Sequence, residues 1–140
     1  MTYLFGPFRR SMDFRSRAMR RELWAFTLLF VILQVGIFAG SAVLSAFVYP
    51  TIKADRDPLF FWAMRSMAIV AILFVLPMLA VQVRRLHDLG RSGWFVLLHA
   101  LPLVGSLVLT VMMLLPGKRG SNAYGPDPRT REAELAGVFN

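Results

Sequence analysis

The sequence contains no cysteine. Disulfide bonds, thiolate metal sites and cysteine nucleophiles are therefore excluded. Charged residues are also scarce. They make up 17% of the 140 residues, whereas hydrophobic residues make up 56%, and the mean hydropathy is +0.56. The apolar content lies well above that of an ordinary soluble domain, and it indicates a membrane protein.

Acidic residues are few, with 8 Asp and Glu against 16 Lys and Arg, which gives a net charge of +8. In a soluble protein this excess would suggest a nucleic-acid partner. Here the arginines flank apolar blocks, as the positive-inside bias and anionic headgroups favour, so we expect no nucleic-acid partner. The arginines concerned are Arg9, Arg10, Arg15, Arg17, Arg20 and Arg21 before the first block, and Arg84, Arg85 and Arg91 between the second and third.

The apolar residues form three long blocks, which predict an all-α, polytopic membrane protein with spans at about 23–49, 59–83 and 94–115. A cleaved signal peptide does not explain the first block, which is too long and is followed by two more. Pro50 is expected to end the first span, and Pro58 to begin the second behind Asp57 as its N-cap. The transmembrane domain is thus predicted at 23–115.

The segments outside this domain differ in character. Residues 1–22 interleave aromatic residues with arginines, which is typical of a segment at the membrane interface, and a disordered tail is the alternative for residues 1–14. Gly6-Pro7 is expected to interrupt any early helix. Residues 116–140 form a polar, turn-rich tail.

The third block contains a break at Pro102–Gly105, which leaves two topologies open. One kinked span would place the carboxyl terminus opposite the amino terminus. A re-entrant hairpin would return the tail to the amino-terminal side and give a cleaner charge asymmetry, but its turn would need protein or water around it. We favour the kinked span.

Several small and polar residues lie inside the predicted spans, and some of them have two interpretations. Gly36 and Gly40 form a G-x-x-x-G pair, which either packs against another span of the same chain, the reading we favour, or forms a dimer face. His99 is a weak candidate haem or pigment ligand, although a lone histidine is more often hydrogen-bonded to a neighbouring helix. Arg65 lies two turns into its span and is expected to snorkel outward.

The hinge between the second and third blocks contains His87-Asp88, followed by Gly90 as a candidate helix C-cap. One His–Asp pair without further ligands is a weak signal for catalysis or metal binding. We instead expect Asp88 and Glu22 to pair with nearby arginines.

Several separated motifs together resemble the YhaH-like family of small bacterial inner-membrane proteins, a domain of unknown function. The resemblance implies a bacterial inner-membrane location and no particular chemistry. The motifs are Arg17, Arg20-Arg21-Glu22, Trp24 and Phe26, then Arg84-Arg85-Leu86-His87-Asp88, Gly90-Arg91-Ser92-Gly93-Trp94, Pro102, Gly105, Pro116-Gly117, and Asn122 with Tyr124-Gly125-Pro126-Asp127-Pro128.

We therefore expect a non-catalytic inner-membrane protein, without cofactor or metal and with a cytoplasmic amino terminus. It would bind anionic lipid, a larger membrane complex or a second copy of itself. The alternative is a transport or pigment-associated subunit that uses Gln34, Arg65, Gln82 and His99. The candidate interface residues are Arg17, Arg20, Arg21, Glu22, Trp24, Arg84, Arg85, His87, Asp88, Arg91 and Trp94.

Overall fold

The structure is a computed structural model that describes residues 2–52 and 58–130. These residues form α1 (Thr2–Arg9), α2 (Arg20–Ile52), α3 (Pro58–Asp88), a 3₁₀ helix (Gly93–Ala100) and α4 (Val104–Leu114). The described ranges contain no strand, and their one β-bridge joins Asn122 to Gly125. The predicted all-α class is confirmed.

Two helices are long and apolar enough to cross a membrane, over Arg20–Phe47 and Leu59–Asp88. In the most apolar part of each, 0% and 28% of the residues are buried, whereas the core helix of a soluble protein would be mostly buried. α4 is apolar but short. α2 extends to Ile52, beyond Pro50 where its end was predicted, and α3 begins at Pro58 as expected. The proposed N-cap Asp57 lies outside the described residues.

The chain divides into two compact units, described separately. The terminal unit comprises Met1–Phe26 and Leu76–Asn140, and the central unit comprises Thr27–Val75. Within the central unit the rings of Phe30 and Phe74 lie 5.2 Å apart. In the same unit Gln34 Nε2 donates to Met67 O at 3.4 Å, so α2 and α3 are joined there by an apolar and a polar contact.

α1 continues through Gly6-Pro7, so the expected interruption is wrong. Proline lacks an N–H and loses one helical hydrogen bond, but in so short a helix the loss is small. Pro7 is fully buried, and the neighbouring Phe8 ring packs edge-to-face on Phe26 with centroids 5.1 Å apart. This burial holds α1 against the first turns of α2.

The end of α3 has the geometry of a Schellman motif. Arg91 N donates to Leu86 O at 2.9 Å, and Gly90 N donates to His87 O at 2.9 Å. Gly90 has φ +70°, a conformation that favours glycine because it has no Cβ. Its predicted role as the C-cap is confirmed, and the chain leaves α3 in a fixed direction.

Both ends of residues 93–115 lie against the same end of α3. At the start, a methyl group on Gly93 would lie 2.7 Å from Val83 Cγ1. At the finish, the Leu115 carbonyl accepts a hydrogen bond from Arg85 Nη2. A single span of this length would separate its ends by roughly 30 Å, so the segment instead returns to the level at which it starts.

The reversal takes place at Leu103. This residue has φ 61° and ψ −66°, and Val104 N donates to Pro102 O at 2.7 Å, which together define a γ-turn of the rare positive-φ kind. Beyond it, a side chain on Gly105 would overlap the Leu98 carbonyl, so the two arms touch. The predicted break is present, but the re-entrant hairpin and not one kinked span describes this segment.

The two arms of the hairpin have nearly equal lengths. The 3₁₀ helix has 8 residues and α4 has 11, and at about 2.0 and 1.5 Å per residue both reach roughly 16 Å. This is about half the ~30 Å thickness of a hydrocarbon core. The hairpin therefore suits a segment that enters a bilayer and leaves it on the same side.

The absence of native cysteine allows a direct test of the hairpin. We expect Arg91→Cys and Ser121→Cys, each introduced alone, to react with a membrane-impermeant maleimide from the same side of oriented vesicles, because the hairpin brings both positions to one level. Ser41→Cys, inside the first span, serves as the protected control. Labelling of the two positions from opposite sides would contradict the hairpin.

Candidate functional site

Asp88 lies at the centre of a buried cluster at the end of α3. Its Oδ1 accepts hydrogen bonds from Arg17 Nε at 3.1 Å and Nη2 at 2.9 Å, and its Oδ2 accepts one from Arg85 Nη1. The three side chains are at most 2% exposed. Buried charge is costly unless it is paired and hydrogen-bonded. Here both carboxylate oxygens are engaged by guanidinium groups, which supply strong charge-assisted bonds.

Arg17 also holds the tail in place. Its Nη1 donates to Gly120 O at 2.7 Å and Gly125 O at 3.2 Å, and its Nη2 donates to Lys118 O at 2.6 Å. A guanidinium group has five donors in a rigid plane, so one side chain can bind several carbonyls and a carboxylate at once. The tail residues 118–125 are therefore folded around a residue that precedes α2.

A second contact joins the tail to α3 through His87. The His87 and Tyr124 rings are stacked, with centroids 3.8 Å apart and planes 4° apart. Asn122 Nδ2 donates to His87 O at 2.8 Å, while Asn122 Oδ1 accepts from Tyr124 N at 2.8 Å. The tail turn thus packs on His87, while the neighbouring Asp88 is hydrogen-bonded to arginines.

Arg84 and Glu22 form a separate buried ion pair. Arg84 Nη2 lies 3.1 Å from Glu22 Oε1, and the two side chains are 0% and 12% exposed. The contact does not have hydrogen-bond geometry, and none of the three guanidinium nitrogens of Arg84 has a hydrogen-bond partner among the described residues. Arg84 therefore depends on the charge of Glu22, which confirms the expectation that Glu22 and Asp88 pair with arginines.

Asp127 organises the tail turn. Its Oδ1 accepts from Arg129 N at 3.0 Å and its Oδ2 from Gly120 N at 3.0 Å. The Arg129 amide is the main reason that the pKa of Asp127 is lowered, against the raising effect of burial. Because these bonds favour the charged carboxylate, the turn is stabilised above the ordinary pKa of aspartate and loses that stabilisation as the pH falls through the lowered value.

Asp13 has a similar role before α2. Its Oδ1 accepts from the amides of Arg15 and Ser16, both at 3.1 Å. Burial raises the pKa of Asp13, but the hydroxyl and amide of Ser16, the Arg15 amide and the charge of Arg84 outweigh it, so the pKa is lowered. Like Asp127, this carboxylate is used to shape the backbone.

The described basic residues of the terminal unit divide into an inner and an outer group. Arg17, Arg84 and Arg85 are buried, whereas nine others are exposed. We call the nine the basic surface. It consists of Arg9, Arg10, Arg15, Arg20, Arg21, Arg91, Lys118, Arg119 and Arg129.

The candidate interface residues accordingly separate into two sets. Six of them are buried among residues of their own chain, namely Arg17, Glu22, Arg84, Arg85, His87 and Asp88. The charged members of this set pair within the protein, and the contact of the set with lipid stays a prediction. The other five are exposed, namely Arg20, Arg21, Trp24, Arg91 and Trp94.

The predictions for the small and polar residues within the spans have different outcomes. A side chain built on Gly36 or Gly40 would have no neighbour within 4 Å, so within residues 2–52 and 58–130 the favoured contact of these glycines with another span is not formed. His99 Nε2 lies 3.0 Å from Gln82 Oε1, which confirms the hydrogen bond to a neighbouring helix.

Several residues of the cluster could not be assigned a role from sequence. Gly117 packs so closely on Asp88 that a side chain there would overlap the carboxylate. Asn122, Tyr124 and Asp127 build the tail turn. The sequence signals were the Gly and Pro content that predicted a turn-rich tail and the presence of Pro116-Gly117 and the Asn122–Pro128 stretch among the family motifs. Within residues 2–52 and 58–130 no group of three His, Asp or Glu residues could hold a metal ion.

Comparison with known proteins identifies relatives over most of the chain. Residues 11–126 match the family described as "Protein of unknown function (DUF805)". Inner membrane protein YhaH of Escherichia coli (strain K12) is 33% identical over 134 residues, covering 92% of this chain and 98% of the relative. Inner membrane protein YhaI of the same strain is 35% identical over 133 residues, covering 92% and 97%. No solved structure has significant similarity to the chain.

Replacing Glu22 by Gln should destabilise the terminal unit. The change removes the carboxylate that is paired with the fully buried Arg84, and breaking a buried ion pair costs up to about 3–5 kcal/mol. The measurement is the thermal midpoint of unfolding in detergent, with Arg15→Gln as an exposed control. An unchanged midpoint for Glu22→Gln would show that the pair does not hold α2 to α3.

Replacing Gly117 by Ala should separate the tail from α3, because the added methyl group would occupy the position of the Asp88 carboxylate. We expect a fall in the thermal midpoint and loss of the His87–Tyr124 stacking, detected as a change in the near-ultraviolet signal of tyrosine. Ala123→Ser, which adds one atom at an exposed position of the same tail, should change neither. If Gly117→Ala behaves like this control, the close contact is absent.

Proposed function

Because the chain belongs to the DUF805 family, whose relatives above are inner membrane proteins, we propose that it is a non-catalytic inner-membrane protein that binds anionic lipid through the basic surface. The membrane location follows from the family and from the two long apolar helices. We further propose that the protein prefers anionic lipid, that it has a defined orientation in the membrane, and that it acts as an accessory protein.

The main support for this proposal is the distribution of charged side chains between the surface and the interior of the terminal unit. Among its described residues, nine charged side chains are exposed and all are basic, whereas the four acids are buried or half-buried. The exposed charge of the described part therefore has one sign, although that part contains both. The acids are Asp13, Glu22, Asp88 and Asp127.

A surface of this sign is attracted to anionic headgroups. Each Lys or Arg near a negatively charged bilayer contributes about 1 kcal/mol, and the attraction decays within a Debye length of about 8 Å at physiological salt. Trp24 and Trp94 are 38% and 77% exposed. They belong to the same unit as the basic surface, and tryptophan is enriched at the level of headgroups.

The same charges support an orientation. Cytoplasmic segments of membrane proteins are enriched in Lys and Arg. The hairpin returns the tail to the side from which the segment begins, so Lys118, Arg119 and Arg129 add to the amino-terminal arginines. We therefore propose that the basic surface, and with it the amino terminus, faces the cytoplasm.

The acids support a non-catalytic role. General acid–base catalysis needs a carboxylate or imidazole directed at a substrate. The described carboxylates of the terminal unit instead bind arginines or backbone amides of their own chain, and the His87 ring is stacked on Tyr124.

The proposal is tested by lipid enrichment. The protein is reconstituted into nanodiscs of equal phosphatidylglycerol and phosphatidylcholine, and the lipids that remain after mild detergent extraction are quantified by mass spectrometry. We expect enrichment of phosphatidylglycerol that falls with added salt and is reduced about threefold or more in the variant Arg9→Gln/Arg10→Gln/Arg91→Gln, by loss of headgroup attraction.

The control is Arg65→Gln, which removes an exposed arginine of the central unit. It should keep the enrichment of the wild-type protein. Equal retention of the two lipids by the wild-type protein would overturn the proposal.

A further inference from the structure

The basic surface contains a cavity of about 260 Å³ at the end of α3. Its walls come from the start of α2, the end of α3 and the tail, three stretches distant in sequence. The lining residues are Met19, Arg20, Arg21, Arg85, Asp88, Gly117 and Arg129. All of them belong to the terminal unit.

Four of the seven lining residues are arginines, and one is an acid. The acid, Asp88, is already bonded on both oxygens by Arg17 and Arg85. It therefore offers little free negative charge to the cavity. The net field inside the cavity is positive and favours an anion.

Arg85 provides an observation independent of the charge count. Its side chain is 1% exposed, and its Nε has no hydrogen-bond partner among the described residues. Leaving a buried charged donor unpaired is costly. The other nitrogens of this guanidinium bind Asp88 and the Leu115 carbonyl, and the Arg85 residue lines the cavity, so an anion bound there would supply an acceptor for this side chain.

Two further features suit an anion at this position. α2 begins at Arg20, so the positive end of the dipole of a 33-residue helix lies at the cavity wall. Arg129 is fixed by donating Nη2 to Gly117 O at 2.8 Å, which holds this exposed side chain beside the cavity.

We propose that this cavity binds a phosphate group, carried by the headgroup of an anionic phospholipid or free in solution. Arginine forks match the oxygens of phosphate in shape and charge. The volume lies below the roughly 300–1,000 Å³ of pockets for drug-sized ligands, which fits a single headgroup better than a nucleotide. The inference rests on the proposed function and assigns it a specific site.

The test compares two double variants of equal charge. Arg20→Gln/Arg129→Gln removes two arginines from the cavity wall, and Arg15→Gln/Arg119→Gln removes two from the basic surface outside it. Full-length proteins in a neutral detergent are titrated with phosphatidylglycerol, with diacylglycerol and with sodium phosphate. Bound lipid is counted by native mass spectrometry, and phosphate binding is followed by the thermal midpoint.

We expect the wild-type protein to bind one phosphatidylglycerol tightly and diacylglycerol weakly. The cavity variant should bind phosphatidylglycerol about tenfold more weakly or worse, because two charge-assisted bonds are lost. The control variant removes only long-range attraction by the basic surface, so it should weaken binding about twofold. Stabilisation by sodium phosphate alone identifies free phosphate as the ligand. Binding of phosphatidylglycerol without a phosphate effect identifies the headgroup.

The possible failures are distinguishable. If both variants weaken binding equally, the cavity has no special role and the basic surface alone binds lipid, so only this inference is overturned. If the wild-type protein binds phosphatidylglycerol no better than diacylglycerol and ignores phosphate, the proposed function fails too. Should the double variant melt too low to titrate, Arg129→Gln is compared with Arg119→Gln, and equal affinities would again overturn the site.

Discussion

The architecture of the terminal unit depends on one buried carboxylate. Asp88 is held between Arg17, which precedes α2, and Arg85, one turn back on α3. Arg17 in turn binds three tail carbonyls, and Arg85 binds the carbonyl of Leu115 at the end of the hairpin. The amino-terminal segment, the end of α3, the hairpin and the tail therefore meet through bonds that all lead to this group.

The same arrangement explains the character of the surface. Acids that are placed inside to compensate buried arginines are no longer available to balance the arginines outside. A chain with half as many acidic as basic residues thus acquires a terminal unit whose described exposed charges are all positive. The internal pairing that stabilises the fold and the external field that would attract an anionic bilayer are two results of one distribution of charge.

Sequence patterns predicted what depends on local or averaged physics. The apolar blocks indicated α2 and α3, the Gly90 cap followed from helix-end chemistry, and the pairing of Glu22 and Asp88 with arginines followed from the cost of buried charge. Family resemblance was also visible in the motifs and is confirmed by the comparisons.

What sequence could not predict depends on contacts between distant residues. Both topologies of residues 94–115 have the same hydropathy. The contacts within the structure show that the chain turns back, among them the bonds from Arg85 Nη2 to Leu115 O and from Lys118 N to Asp88 O. The sequence also does not distinguish the buried arginines from the exposed ones, because neighbouring arginines have similar sequence surroundings. The close fit of Gly117 against Asp88 is a matter of backbone position alone.

The long range of the Arg17 bonds has a consequence for biosynthesis. Its partners follow it by 71 residues at Asp88, 103 at Gly120 and 108 at Gly125. Both long helices must be synthesised before the Asp88 carboxylate is complete, and the chain through Gly125 before the last acceptor exists. The cluster therefore closes late in synthesis, and a nascent chain that is interrupted before the tail has an Arg17 guanidinium group without its three carbonyl partners.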